Sequence, residues 1–432
     1  MSIYLIKQRI ITILKKIICY VIFKIKKFSN DDYDVQKHIL VNMSHSLLKR
    51  PYRDGEIIDM VFLFQAASFW PSWESLWEEC LADSRINPMM VVCDYDFKEK
   101  SQFKSAQTFL NNKNIKYHHI SDFNISSVRP HVFVLQTPYD GHRPRYLHSD
   151  MLSSKGNRLV YITYGIEISD TDRARSDHFM GGVTTNAWRV YTFSENMIEG
   201  YKYYSPTGGD MVRSLGHPKF DLLDKKYFPE LPPEIKERAA GRPVVLWKVH
   251  FPKEVNGDLI TPSIDIYIEL LNDISNYKNI YFIFMPHPKF YEKLAEFSNV
   301  GAFKKKIEKL ENVYQYFDDD YRPVLLNSDY YILDRSALMV EAGVTGRPIL
   351  FLNASKSEVM TQPVKSIVDT YYQAQSYKEI KHFIDQIVLL DSDPLKEKRL
   401  KAFSSVLKNT DGMSGHRIKE DIVNSLKDEI TI

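Results

Sequence analysis

Cysteine is nearly absent: Cys19, Cys80 and Cys93 are the three in 432 residues. Their spacing fits neither a metal knuckle nor a disulfide framework, which is what a chain kept in a reducing compartment looks like. Each is read as a small apolar filler. Gly-x-Gly-x-x-Gly and Gly-x-x-x-x-Gly-Lys-Ser/Thr segments are also missing, so neither the dinucleotide nor the P-loop fingerprint applies. Lys and Arg number 57 against 55 Asp and Glu, a formal net charge of +2. That balance, with no basic stripe, argues against nucleic acid as a partner. No His/Cys/Asp cluster has metal-ligand spacing. The run Asp318-Asp319-Asp320 reads as a solvated acidic turn, so no metal is expected. Internal repeats and low-complexity tracts are absent.

Residues 1–30 hold something less ordinary. Met1 to Phe28 mixes long apolar stretches with Lys7, Arg9, Lys15, Lys16, Lys24, Lys26 and Lys27, and contains no acid. A spanning helix needs about twenty apolar residues in a row, and Lys15-Lys16 breaks the run. A signal peptide would need an unbroken apolar region and a small-residue cleavage site. The pattern predicts a basic amphipathic helix lying on an anionic membrane surface, which implies a peripheral position on the cytoplasmic face.

The rest alternates short apolar runs with helical patterns. Ile58–Phe64, Pro88–Cys93, Lys116–Ile120, His131–Leu135, Arg158–Thr163, Arg189–Phe193 and Met211–Leu215 read as strands. Continuous apolar runs of this length are what parallel strands buried on both faces need. Ser72 is expected to cap the helix that follows the first strand. A Pro-rich, charged stretch, Asp224 to Arg242, breaks the series and reads as a linker. The pattern then restarts with Val244–Trp247, Ile280–Met285, Val313–Tyr316, Tyr330–Leu333 and Ile349–Leu352. The expected class is therefore α/β with two Rossmann-like domains. They span residues 55–224 and 243–410, with a terminal helix in 411–432. Two such halves facing a central cleft make the GT-B architecture, with acceptor on the first half and activated donor on the second; this rests on analogy of fold.

Open α/β sheets bind ligands outside the carboxyl ends of their strands. In the second half those ends carry Lys248 and His250, then His287 before Pro288, then Asp334-Arg335-Ser336, with Glu341 a little further on. Cations and imidazoles suit a diphosphate, a hydroxyl suits a phosphate oxygen, and a carboxylate suits a ribose. His287 is the expected donor to charge developing on a departing phosphate. Ser336 is expected to cap the helix carrying Glu341 and to share its N-terminus with a phosphate. In the first half, Phe69, Trp70 and Trp73 follow the first strand and are candidates for stacking on a sugar or polyol.

Several segments in order resemble the CDP-glycerol glycerophosphotransferase family, which makes teichoic-acid-like polymers. They are Phe69-Trp-Pro-Ser-Trp-Glu-Ser-Leu76, Gly216-His-Pro-Lys-Phe-Asp221, His287-Pro288, Asp334-Arg-Ser336 and Asp411-Gly-Met-Ser-Gly-His-Arg417. The likeness spans residues 58–425 and implies a CDP- or CMP-linked donor, no further cofactor, and a surface-polymer or lipid-linked acceptor. It also implies a phosphate role for Arg417. One departure stands out. The family has a Trp-His-Gly loop whose His is read as general base on the acceptor. Here Tyr164 occupies that place in Ile162-Thr-Tyr-Gly-Ile-Glu167. A tyrosine with a pKa of about 10 is a poor base at pH 7. Glu167, with Asp170 and Asp172 close by, is the expected substitute, and His142 is a further candidate. Tyr164 and His142 are then expected to bind the acceptor. Two alternatives stay open: a CMP-sugar or other nucleotide-sugar transferase of the same fold, and a catalytically silent scaffold.

Overall fold

The computed structural model describes residues 30–432 except 94–99, 224–228, 253, 256–257, 260, 297, 319, 355–358 and 430–432. The basic segment Met1–Phe28 and its expected helix lie outside the described residues. The chain forms two compact units. The first holds residues up to Gly165, Asp172–Asp221 and Met413–Ile432; the second holds Ile166–Thr171 and Leu222–Gly412.

The first unit is built on a seven-stranded sheet in the order β3-β2-β1-β4-β5-β6-β7. Its strands are β1 (Ile58–Phe64), β2 (Ile86–Val92), β3 (His118–His119), β4 (Val132–Leu135), β5 (Arg158–Ile162), β6 (Arg189–Tyr191) and β7 (Val212–Arg213). All pairings are parallel. The apolar sequence of β1 has its physical reason here: β1 is flanked by β2 and β4, and most of its side chains are buried. Helix α1 (Asn30–Leu48) precedes the sheet, and α2 (Glu74–Leu81) follows β1. Ser72 does not cap α2; its hydroxyl donates instead to the Tyr164 carbonyl at 2.7 Å. Along α1, Ile39, Met43 and Leu47 recur every four residues and are each about half exposed.

The second unit repeats the plan with six parallel strands in the order β12-β11-β8-β13-β14-β15. They are β8 (Val244–Val249), β11 (Tyr281–Pro286), β12 (Val313–Gln315), β13 (Tyr330–Leu333), β14 (Ile349–Leu352) and β15 (Tyr372–Ala374). A small antiparallel hairpin, β9 (Glu254–Val255) with β10 (Asp258–Leu259), interrupts the series after β8. Helix α3 (Ile264–Asp273) follows, capped by the Ser263 hydroxyl, and places Tyr267, Leu270 and Leu271 in the core. A one-turn helix, α4 (Leu338–Glu341), follows β13.

The C-terminal helix α5 (Ser414–Asp428) is not a segment apart. Its stripe of Ile418, Ile422, Val423 and Leu426 lies in the core of the first unit. Asp221 fixes its start. That buried carboxylate accepts from Ser414 N at 2.9 Å, Gly415 N at 2.8 Å and the Ser75 hydroxyl at 2.8 Å. Two orphan amides of a helix N-terminus are thus satisfied by a side chain 193 residues away in sequence. A Cβ on Gly415 would fall 2.5 Å from the Ser75 main-chain carbon, so a glycine lets α5 reach α2. Three of the family-like segments meet at this one knot, where their role is to hold the fold.

The stretch Ile166–Thr171 also departs from the expected boundary. It belongs to the second unit because Thr361 N donates to Ile168 O, Asp170 N donates to Val359 O, and the Thr361 hydroxyl donates to Glu167 O. No helix among the described residues is long and apolar enough to cross a membrane.

Candidate functional site

In each unit the first strand sits inside the sheet, and the chain winds outward from it in both directions. The strand order therefore reverses between β8 and β13 in the second unit, and between β1 and β4 in the first. The crevice at such a reversal is where open α/β sheets take ligands. The loops there carry the chemistry.

At the second-unit reversal, Lys248 and His250 end β8, His287 follows β11, and Asp334 follows β13. Asp334 is fully buried and organises the group. Its Oδ2 accepts from the His250 main-chain N–H and from the Tyr267 hydroxyl, both at 2.6 Å. Its Oδ1 has no partner among the described residues. Burial pushes the Asp334 carboxyl up to about 6, against the opposing pull of Lys248, Tyr267 and the His250 amide. Lys248 is buried too, and its ammonium donates to Val249 O at 2.9 Å. Burial lowers it to about 8, with Asp334 pulling the other way. Both groups are buried beside the loops, and each favours the charged form of the other electrostatically.

His287 is half-buried and stands with its ring centroid 4.8 Å from His250 and 4.8 Å from Phe251. Burial lowers its pKa to about 3, helped by His250, Lys248 and Lys289, so the ring is neutral at pH 7. Its Nδ1 accepts from Lys289 N at 3.1 Å. A neutral imidazole that accepts at Nδ1 carries its proton on Nε2. The first unit contains the same His-Pro-Lys turn with a different outcome. There His217 Nδ1 accepts from Lys219 N, and Nε2 is used up on Thr163 O at 2.6 Å in a fully buried site. His217 is structural. His287 Nε2 makes no hydrogen bond to a described residue, which leaves that donor for a ligand.

Three expectations about this unit change. Ser336 does not cap α4: the cap position is Ala337, the helix is a single turn, and the Ser336 hydroxyl has no partner among the described residues. Ser336 Oγ is a buried polar atom with no described partner, not a helix cap. Glu341 is no rim carboxylate; it is 1% exposed and accepts a hydrogen bond from the Tyr321 hydroxyl. Arg417 lies on α5, which belongs to the first unit and not to the unit that carries these strand ends. Arg335 does lie beside Ser336, half-buried.

In the first unit, Trp70 and Trp73 do not offer stacking faces. Trp73 is fully buried and Trp70 is 3% exposed, and both pack edge-on against β1 aromatics. An apolar helix start beside a sheet explains their placement. The half-buried rings at the reversal are Phe69, Tyr139, His142 and Tyr164. Phe69 meets Tyr164 at 4.8 Å between centroids, Tyr139 meets His142 at 5.1 Å, and the Tyr139 and Tyr164 hydroxyls are 3.0 Å apart. A buried polar network supports the turn that presents them. Arg143 joins Asp140, Thr137 and Gln65, and the Gln65 amide donates to His142 O at 3.1 Å. Glu167 is 2% exposed, and it and Asp170 sit in the second unit. Tyr139 and Asp334 were missed as site residues; strand order marks both, and sequence pattern alone does not supply it.

No family model matches the chain, and no curated protein matches it in sequence. Solved structures do match in fold. An S. aureus MnaA–UDP complex aligns over 86% of this chain and 97% of its own, at 13% identity and TM-score 0.62. A putative UDP-N-acetylglucosamine 2-epimerase from Listeria monocytogenes aligns over 86% and 97%, at 14% identity and TM-score 0.62. The wall teichoic acid polymerase TagF aligns over 93% and 99%, at 11% identity and TM-score 0.55. The fold is GT-B, two Rossmann-like α/β units, shared by epimerases and a polymerase.

Proposed function

We propose that this chain is a GT-B transferase that uses a nucleotide-diphosphate-linked donor, moving a phosphopolyol or a sugar to a hydroxyl of a surface-polymer precursor. The observation that carries this reading is the set of Lys248, His250, His287, Arg335 and Ser336 around buried Asp334 at the second-unit strand reversal. Lysine and arginine attract the diphosphate, Ser336 and His287 donate to its oxygens, and Asp334 holds the His250 loop in place. For a CDP-polyol donor, the acceptor oxygen would attack the phosphorus bearing the polyol. The bond to CMP would break and the acceptor proton would pass to a base. His287 Nε2–H would stabilise the charge left on CMP. Of the two candidate bases, Asp170 is half-buried and Glu167 is 2% exposed, so Asp170 is the more accessible carboxylate and the one proposed as base. The fold likeness to TagF, one of whose structures was soaked with CDPG, supports a CDP-linked donor.

A second reading is an epimerase-like reaction on a UDP-sugar, favoured by the higher TM-scores of the epimerases. The basic, acid-free Met1–Phe28 favours a peripheral membrane transferase, and the half-exposed Ile39, Met43 and Leu47 on the adjoining helix continue that apolar character. A thermal-shift panel of CDP-glycerol, CDP-ribitol, CMP-sugars and UDP-sugars tests the reading, since a ligand of the native state raises the melting temperature. A shift with cytidine donors supports the transferase, a shift with UDP-sugars alone supports the epimerase-like reading, and no shift with any nucleotide rejects both.

A further inference from the structure

We infer that the strand reversal of the first unit is a subsite for the pyranose ring of a neutral sugar, so that the acceptor presents a sugar at its reacting end. The inference rests on the transferase reading for its role and on the first unit's own residues for its chemistry. Four rings gather at the carboxyl ends of β1, β4 and β5: Phe69, Tyr139, His142 and Tyr164. Aromatic faces bind the C–H faces of sugar rings, while tyrosine hydroxyls bind their hydroxyls. Here the Tyr139 and Tyr164 hydroxyls are paired at 3.0 Å. A phenol hydroxyl can both donate and accept, as a vicinal diol requires of its partners.

Two glycines add an independent sign. A Cβ built on Gly165 or Gly141 meets nothing within 4 Å among the described residues. Neither glycine has a positive φ. The backbone does not need glycine there, and no described residue packs close enough to need it either. What the missing side chains do is leave room beside Tyr164 and His142. Gly415 is the contrast, crowded against Ser75 as a packing glycine must be.

The charge is also informative. Phe69, Tyr139, His142 and Tyr164 themselves carry no permanent cation, and Arg143 beneath them is fully buried and paired with Asp140 at 2.7 Å. A polyanionic chain of polyol phosphates would call for cations at this place. A neutral ring does not.

Saturation-transfer NMR on the full chain tests this with methyl β-D-glucopyranoside and N,N′-diacetylchitobiose as probes and glycerol 3-phosphate as comparator. The expected result is saturation of sugar ring protons and little on glycerol 3-phosphate. Gly165→Val should cut the sugar signal at least fivefold with an unchanged melting temperature, because the new side chain fills open space. Phe69→Ala should cut it as well. Absence of sugar saturation, stronger saturation of glycerol 3-phosphate, or a full signal in folded Gly165→Val would overturn the inference. The nucleotide panel on the same samples separates the two ideas. Nucleotide shifts without sugar saturation sink the subsite and keep the transferase. Sugar saturation that Gly165→Val removes, without any nucleotide shift, keeps the subsite and rejects the transferase.

Discussion

Asp334 offers the sharpest perturbation of the second unit. Replacing it with alanine strands two donors at once: the His250 amide and the Tyr267 hydroxyl, each now bonded at 2.6 Å. A buried donor left without its acceptor costs about 1–3 kcal/mol, so the two together cost about 2–6 kcal/mol. The same change removes a negative charge whose field favours the buried Lys248 ammonium, so it also lowers the Lys248 pKa further. A loss of about 2–6 kcal/mol is expected. Asp334→Asn retains an oxygen that can accept both bonds and should lose about 1–2 kcal/mol less than alanine does, the difference being the hydrogen bonds. Urea unfolding followed by hydrogen exchange of the Val244–Val249 peptide reads the second unit separately from the first. The predicted order of midpoints is wild type, then Asn, then Ala. Equal midpoints for wild type and Asp334→Ala would refute the placement of Asp334 as the organiser of the loops.

Three further outcomes follow from the geometry. Trp73→Ala should destabilise the first unit by about 3–5 kcal/mol, as a large core truncation does, rather than act as loss of an exposed acceptor contact; denaturant titration decides. Gly415→Val should loosen α5 from α2 and expose its amides to hydrogen exchange, since the added Cβ lands on the Ser75 main chain. Melting temperature should depend on pH through the two buried groups Asp334 and Lys248. Asp334 titrates near 6 when folded against 3.8 in its unperturbed state, so the folded chain binds the extra proton and stability falls as pH rises across that window. Lys248 titrates near 8 against 10.5, so the unfolded chain binds the extra proton and stability rises with pH between those values. Asp334→Asn should flatten the lower limb and Lys248→Met the upper one; limbs unchanged in both variants would contradict the burial of the two groups as the source of the pH dependence.

The strands were legible because their physics is local. Runs such as Ile58–Phe64 and Ile349–Leu352 are apolar on both faces, and buried parallel strands require that. The edge strand Tyr372–Ala374 was not legible, being three residues long and partly exposed. His287, Lys248 and His250 were readable as residues at strand ends. Their grouping around Asp334 was not, since it depends on strand order. Trp70 and Trp73 misled because an aromatic pair after a strand serves equally well as core and as platform. Ser336 and Glu341 misled because the short helix begins one residue later than expected, at Leu338 with Ala337 as its cap, and turns Glu341 inward. The reach of Asp221 to α5, and of Glu167 into the second unit, joins segments almost two hundred residues apart, and no local pattern records such pairs.

The central claim is that a nucleotide diphosphate sits at the strand reversal of the second unit. Hydrogen exchange of the full chain with and without saturating CDP-glycerol, and in parallel UDP-N-acetylglucosamine, tests it most directly. The account predicts that one of these protects the amides around Lys248–Phe251, Pro286–Pro288 and Asp334–Ala337, and that His287→Ala weakens that protection in a chain that stays folded. Protection confined to other segments, or none with either nucleotide, would contradict it.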